Sequence, residues 1–234
     1  MEKAFVISDI HGMYHHLEKI LQYWNREDKL VILGDLVDRG MDSLLVVQKI
    51  MSLTKEYDVT FVMGNHDQML LDYIENPTNY ERYFRNGAES TILSFTQDIR
   101  IHQRSHEERA KQLTLKCKEE IDFLKTGLLY YKFGKVLFTH AGFWSWRNCW
   151  EETSDEQFVW IRDHYKFKNE SGYVNVFGHT PTRLIHSNHS NDIWISEDKT
   201  YIGIDGGCAY GGQLNGILIN EEGELLQKYH VKEV

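Results

Sequence analysis

Cysteine, proline and long apolar runs are all scarce in this chain. Its three cysteines, Cys117, Cys149 and Cys208, make an odd number and form no C-x-x-C pair. That argues against a disulfide framework or a thiolate zinc cage, and three reduced thiols fit a cytoplasmic protein. Two prolines among 234 residues leave no room for a proline-rich linker. No stretch reaches the roughly 18 apolar residues that cross a bilayer, so no membrane partner is expected. The opening segment, Met1 to Asp9, has one short apolar run that stops at an aspartate and shows no secretory signal. Positive charge is also short: 26 Lys and Arg face 35 Asp and Glu, for a net charge of -9. Such a surface repels phosphate backbones, so nucleic acid is not an expected partner. A phosphate can still bind where metal ions reverse the sign locally.

Hydrophobic residues are 41% of the chain and aromatics 13%, enough for a sizeable core. Three apolar runs open the sequence: Ala4 to Ile7, Leu30 to Leu33 and Val59 to Met63. Between them, Leu17, Ile20, Leu21 and Trp24, then Leu44 to Leu53, recur at helical spacing. This βαβαβ pattern predicts a parallel sheet covered by helices. From about residue 68 to 125 the strand-like runs stop, and charged segments such as His106 to Lys118 predict a mainly helical insertion within a single domain spanning 1–234. Strand patterns return at Leu128 to Phe133 and Lys135 to Thr139, then in close succession from Val174 to Tyr229. That crowding predicts a second, partly antiparallel sheet.

Chemistry gathers where the runs end. Asp9-Ile10-His11-Gly12 follows the first, Gly34-Asp35-Leu36-Val37-Asp38-Arg39-Gly40 the second, and Gly64-Asn65-His66-Asp67 the third. Thr139-His140-Ala141-Gly142 and Gly178-His179-Thr180 end two later ones. The carboxyl ends of strands in an open α/β sheet form its ligand crevice. A mixed carboxylate, imidazole and amide set suits borderline or hard divalent ions such as manganese, iron or zinc. Asp9 and His11, two apart on an extended chain, can face the same way. Two ions need a bridging ligand, and the carboxylate of Asp35 is the natural candidate. Two such ions can clamp the attacking and leaving oxygens of a phosphoryl transfer.

The ordered set DIHG, GDLVDRG, GNHD, THAG and GHT resembles the calcineurin-like metallophosphoesterases. The GDLVDRG form is similar to the branch holding serine/threonine protein phosphatases and symmetrical dinucleoside tetraphosphatases. Arg85-Asn86-Gly87 resembles its bacterial members, and Ile204 to Cys208 with Gly211-Gly212 its C-terminal segment. The resemblance implies an α/β fold of two facing mixed β-sheets flanked by helices. It implies that Asp9, His11 and Asp35 hold one divalent ion and that Asp35, Asn65, His140 and His179 hold a second, manganese before iron or zinc. His66 then protonates the leaving oxygen, Asp38 orients it, and Arg39 holds phosphate oxygens. Arg162 is the best match for a second phosphate arginine. Metal-bound hydroxide attacks phosphorus, and no phosphoenzyme forms.

Two positions depart from the family. Ser8 stands where glycine is usual and, being small, is expected to matter little. Asp205-Gly206-Gly207 replaces Asp-Thr-Gly in a loop that lies near the substrate in the family. The run Phe143 to Trp146 directly follows a ligand and reads either as a groove lining or as core. The expected activity is a serine/threonine phosphoprotein phosphatase. The alternative is a symmetrical bis(5'-nucleosyl)-tetraphosphatase acting on a small dinucleotide. A catalytically inactive binding protein of the same fold is remote, since every ligand and the acid are present.

Overall fold

The structure, a computed structural model, describes residues 1–232. β1 (Lys3–Ile7), α1 (Tyr14–Ile20), β2 (Lys29–Ile32), α2 (Ser43–Glu56) and β3 (Val59–Phe61) follow in the predicted order, and the three strands are parallel. Alternation assigns their faces. Phe5, Ile7, Leu30 and Ile32 pack with Leu17, Val47 and Ile50 of the helices. Ala4, Val6, Val31 and Leu33 face the other way and are equally buried. Strands covered on both faces read as continuous apolar runs, which is why they were legible.

Five helices follow: α3 (Asn65–Glu75), α4 (Glu81–Arg85), α5 (Ala88–Thr96), α6 (His106–Lys116) and α7 (Lys118–Leu124). The predicted helix at 106–118 is divided at Cys117. α6 starts at a capping box, in which the Ser105 hydroxyl accepts from the Glu108 amide and the Glu108 carboxylate accepts from the Ser105 amide. Tyr73, Ile92, Phe95 and Leu113 join the same apolar cluster as Leu17 and Val47, so these helices share the core of the first sheet.

The chain then builds β4 (Tyr130–Phe133), β5 (Val136–Thr139), α8 (Asp155–Trp160), β6 (Val174–Phe177), β7 (Trp194–Ile195) and β8 (Tyr201–Gly203). The second sheet has the order β4-β5-β6-β8-β7, parallel at its centre and antiparallel at both edges. β9 (Leu214–Asn220) and β10 (Leu225–Val231) do not extend it. β9 pairs antiparallel with β1 and β10 with β9, giving a first sheet of order β10-β9-β1-β2-β3. The N-terminal pattern alone predicts a parallel sheet. The closing hairpin makes it mixed by covering the open edge of β1.

Val6, Val31 and Leu33 of the first sheet meet Phe138, Val176 and Ile202 of the second in one buried layer, so the sheets face each other. On the outer face of the second sheet, Phe143 packs with Leu137, Trp150 and Phe158. The aromatic run after His140 is therefore anchored in core. Among the described residues, no helix is long and apolar enough to cross a membrane.

Candidate metal centre

The loops after β1, β2, β5 and β6 and the first turn of α3 converge at one end of the two sheets. Asp9, His11, Asp35, Asn65, His66, His140 and His179 are all 5% exposed or less. The turns are tight. A Cβ on Gly64 would lie 2.2 Å from the Asp35 amide nitrogen, and one on Gly178 would lie 2.2 Å from the Asp9 carboxylate. Glycine is thus required where two ligand loops touch. Residues of these loops also adopt unusual backbone: Asp9, His11, Asp35, Asp38, Arg39 and His179 all have φ between 47° and 72°. Left-handed backbone costs a non-glycine residue on the order of 1 kcal/mol, and such conformations cluster at functional sites.

The imidazoles are aimed by second partners. His11 Nδ1 donates to the Val37 carbonyl at 2.8 Å, and His140 Nδ1 to the Leu33 carbonyl at 2.6 Å. Each leaves Nε2 for the centre. His179 interacts with the Trp160 backbone, and its Nε2 is buried without a hydrogen-bond partner. Metal-binding histidines are held in this way, with one nitrogen fixed and the other free. Asp35 joins the two halves: Oδ2 lies 3.3 Å from His11 Nε2, and Oδ1 lies 3.5 Å from His140 Nε2. Asn65 Oδ1 is 3.0 Å from His140 Nε2.

Donor atoms of His11, Asp35 and His66 form one close group, and those of Asp35, His140 and His179 another. Asp9 stands beside them with both carboxylate oxygens 3.1 Å from the His179 amide. The Ser8 hydroxyl also donates to Asp9. Ser8 is therefore not the neutral replacement its size suggests, because its oxygen bonds the Asp9 carboxylate directly. Burial pushes Asp9 up to about 6 and Asp35 up to about 7. The same desolvation holds His11 and His179 well below the ordinary imidazole range. Buried carboxylates near neutral imidazoles, with an orphaned Nε2, suit a divalent cation, which takes the place of the protons.

His66 is held differently. Its Nδ1 lies 2.7 Å from Asp38 Oδ2, a carboxylate rather than a carbonyl. Asp38 is wholly buried and accepts from Tyr83 Oη and Thr91 Oγ1 on its other oxygen. Burial raises Asp38 to about 7, against the pull of those two hydroxyls. Tyr83 and Thr91 come from α4 and α5, so the helical segment fixes the His66–Asp38 pair. Asp67 accepts from the amides of Asp35, Leu36 and Gly64 and thereby ties the second loop to the third. Sequence reasoning missed Tyr83, Thr91 and Asp67. Of the three, only Asp67 carried a signal, as the last residue of GNHD.

Arg39 reaches across the centre, bonding His11 Nε2 and, at 2.8 Å, His66 Nε2. Arg162 lies just beyond α8 and donates to the His179 carbonyl at 3.0 Å and to Thr180 Oγ1 at 3.2 Å. Both arginines line a cavity of about 590 Å³ that also includes Asp35, Asn65, His66 and His179. The aromatics on its wall are Trp160, Tyr165 and Tyr210, not the Phe143 to Trp146 run.

Two facing mixed sheets with an Asp, His and Asn donor set at their ends define a metallophosphoesterase, a hydrolase of phosphate esters. Residues 3–207 match the profile of the calcineurin-like phosphoesterases, and the chain belongs to that family. It is 28% identical to serine/threonine-protein phosphatase 1 of Salmonella typhimurium, over 90% of this chain and 89% of that one. It is 25% identical to the asymmetrical bis(5'-nucleosyl)-tetraphosphatase PrpE of Halalkalibacterium halodurans, over 92% and 89%. A solved structure provisionally described as a diadenosine tetraphosphatase superposes with a TM-score of 0.67 at 20% identity, covering 98% of this chain and 93% of its own.

Proposed function

We propose that the chain is a two-metal phosphatase of phosphoserine and phosphothreonine proteins. The observation that carries this reading is Asp35, whose two oxygens face different histidines across the centre. Asp9, His11 and Asp35 would hold one ion, and Asp35, Asn65, His140 and His179 the other, with manganese the first candidate. Bound there, such ions supply Lewis acidity and activate water at neutral pH. The substrate phosphate draws the Arg39 guanidinium off the two imidazoles onto its own oxygens, a bidentate match that lysine could not make. Arg162 binds the outer phosphate oxygens. With Nε2 released, His66, which burial holds well below the ordinary imidazole range, must first take up a proton from solvent at that atom. The Asp38 carboxylate stabilises the resulting imidazolium, and the Nε2 proton then passes to the leaving oxygen.

The test is His66→Asn. Both metals should remain, while hydrolysis of a phosphopeptide slows by roughly 10²–10⁴-fold, the range for a lost general acid. p-Nitrophenyl phosphate, whose leaving group is a weak base, should lose much less. Loss of a metal, or equal slowing of both substrates with chemistry rate-limiting, contradicts the assignment.

A second reading, hydrolysis of a dinucleoside tetraphosphate, is favoured by one feature. The cavity collects Arg39, Arg162 and Arg183, more guanidinium than one phosphate needs. Turnover of a phosphopeptide against diadenosine tetraphosphate, with manganese present, separates the two.

A further inference from the structure

We propose that Arg183 is a second anion-binding position, which takes a negatively charged group of the substrate other than the phosphate being cleaved. This deepens the phosphoesterase reading above and rests on it.

The first observation is a set of arginines without carboxylate partners. The chain carries a net charge of -9, yet three arginines, Arg39, Arg162 and Arg183, line one cavity, which also includes Asp35, Asp163 and Asp205. Among the described residues none of the three has a carboxylate within salt-bridge distance, whereas Lys166 on the same wall is paired with Asp163 at 2.7 Å. Arg39 is engaged by His11 and His66, and Arg162 by His179 and Thr180. The guanidinium of Arg183 lies over the ring of Tyr210, 5.5 Å from its centroid. An acidic protein that leaves a half-buried guanidinium unpaired beside a phosphoesterase centre presents a ready anion site.

The second observation is how Arg183 is placed. Tyr210 meets two cations, with Arg39 4.8 Å from the same ring centroid. The two guanidiniums are thus no farther apart than those two distances combined. The negative ring face attracts both and offsets their repulsion. Both loops are braced. Arg183 sits in a 3-10 turn, Thr182–Leu184, whose Thr182 amide donates to the Asp205 carbonyl at 2.8 Å. His189 Nδ1 bonds the Arg183 carbonyl at 3.1 Å. Tyr210 ends the turn Cys208–Tyr210, and the Asp205 carboxylate accepts from the Gly207 amide at 2.8 Å. Arg39 bonds imidazoles of the centre, and Arg183 lines the same cavity. A substrate with one anion on Arg39 can therefore place another on Arg183. Two chemistries offer that second group: a further phosphoryl group of a condensed phosphate chain, or a carboxylate beside a phosphoserine.

The experiment uses the full manganese-loaded chain and Arg183→Gln, with Arg183→Lys as a charge-keeping control and thermal midpoints confirming the fold. Substrates are p-nitrophenyl phosphate, diadenosine tetraphosphate, and two phosphopeptides that differ by Asp or Ala next to the phosphoserine. Arg183→Gln should lower kcat/KM at least tenfold, mainly through KM, for the substrate carrying the second anion. The p-nitrophenyl phosphate loss should be several times smaller, and Arg183→Lys should recover part of the difference. Loss confined to diadenosine tetraphosphate identifies a phosphoryl group, and loss confined to the Asp peptide identifies a carboxylate. Equal loss on all substrates, or loss on none, overturns the proposal. A wild type that hydrolyses no ester overturns the phosphoesterase reading instead. Calorimetric binding of phosphate and pyrophosphate then decides Arg183 alone: the pyrophosphate preference must shrink in Arg183→Gln, and an unchanged preference ends the idea.

Discussion

Thr91 and Asp38 exchange two hydrogen bonds, each 2.7 Å long: the Asp38 amide donates to the Thr91 hydroxyl, and that hydroxyl donates to the Asp38 carboxylate. The two residues lie 53 positions apart, in the second ligand loop and in α5. Tyr83 adds a third bond, at 3.0 Å. The helical segment thereby sets the carboxylate that aims His66.

Tyr83→Phe removes the hydroxyl that bonds Asp38 and also meets Thr91. A hydrogen bond to a charged group contributes about 1.5–3 kcal/mol, so kcat toward a phosphopeptide should fall roughly tenfold or more. Metal content should not change, and p-nitrophenyl phosphate turnover should fall less. Loss of metal in this variant would place Asp38 in the metal shell. Stopped assays with metal analysis on the same samples read both quantities.

Asp35→Asn tests the bridge. An amide offers one good ligand oxygen and no charge, so both ions should weaken together. Expected are fewer than two ions per chain after desalting and a loss of activity of at least 10²-fold, as for removal of a reaction's main electrostatic stabiliser. Two ions retained at full affinity would move the bridge elsewhere.

Ser8→Ala tests the hydroxyl on Asp9. The serine bond holds the Asp9 carboxyl down, against burial that lifts it to about 6. Without it the proton competes better with the metal. The manganese concentration for half-maximal activity should rise several-fold near pH 6 and much less at pH 8, where Asp9 is ionised in both proteins. A pH-independent change would contradict proton competition.

His164 links acid to stability. Burial lowers it to about 4, and its Nδ1 has no partner while Nε2 bonds Asn175 Oδ1 at 3.0 Å. The unfolded chain takes up the proton near pH 6.5 and the native state only near 4. Stability from this group is therefore full above about pH 6.5 and is lost as pH falls toward 4. The difference between wild type and His164→Gln in unfolding free energy should change by about 3 kcal/mol across that window. Urea titrations at pH 7 and pH 4 measure it.

The strands and most of the centre were readable because each candidate ligand follows an apolar run at a strand end, and a β-strand buried on both faces announces itself in composition. Tyr83, Thr91 and Ser8 were not readable as site residues. A hydroxyl that bonds a ligand's carboxylate has no periodicity, and only tertiary contact reveals it. The same holds for Arg183 and Tyr210, which meet across two loops. The pairing of β9 with β1 was hidden for another reason: the apolar pattern marks a strand but not its neighbour.

That pairing bears on how the chain is made. β1 lies at the centre of its sheet, and its second neighbour, β9, begins only at Leu214. On the ribosome, β1 can join β2 early, but one of its edges stays bare until the segment from Leu214 to Asn220 has emerged. The same delay applies to the centre, whose Asp9 carboxylate waits for the His179 amide. Any stalled or clipped product ending before Leu214 keeps an unpaired strand edge in contact with solvent, the kind of edge that recruits other chains and calls for chaperones.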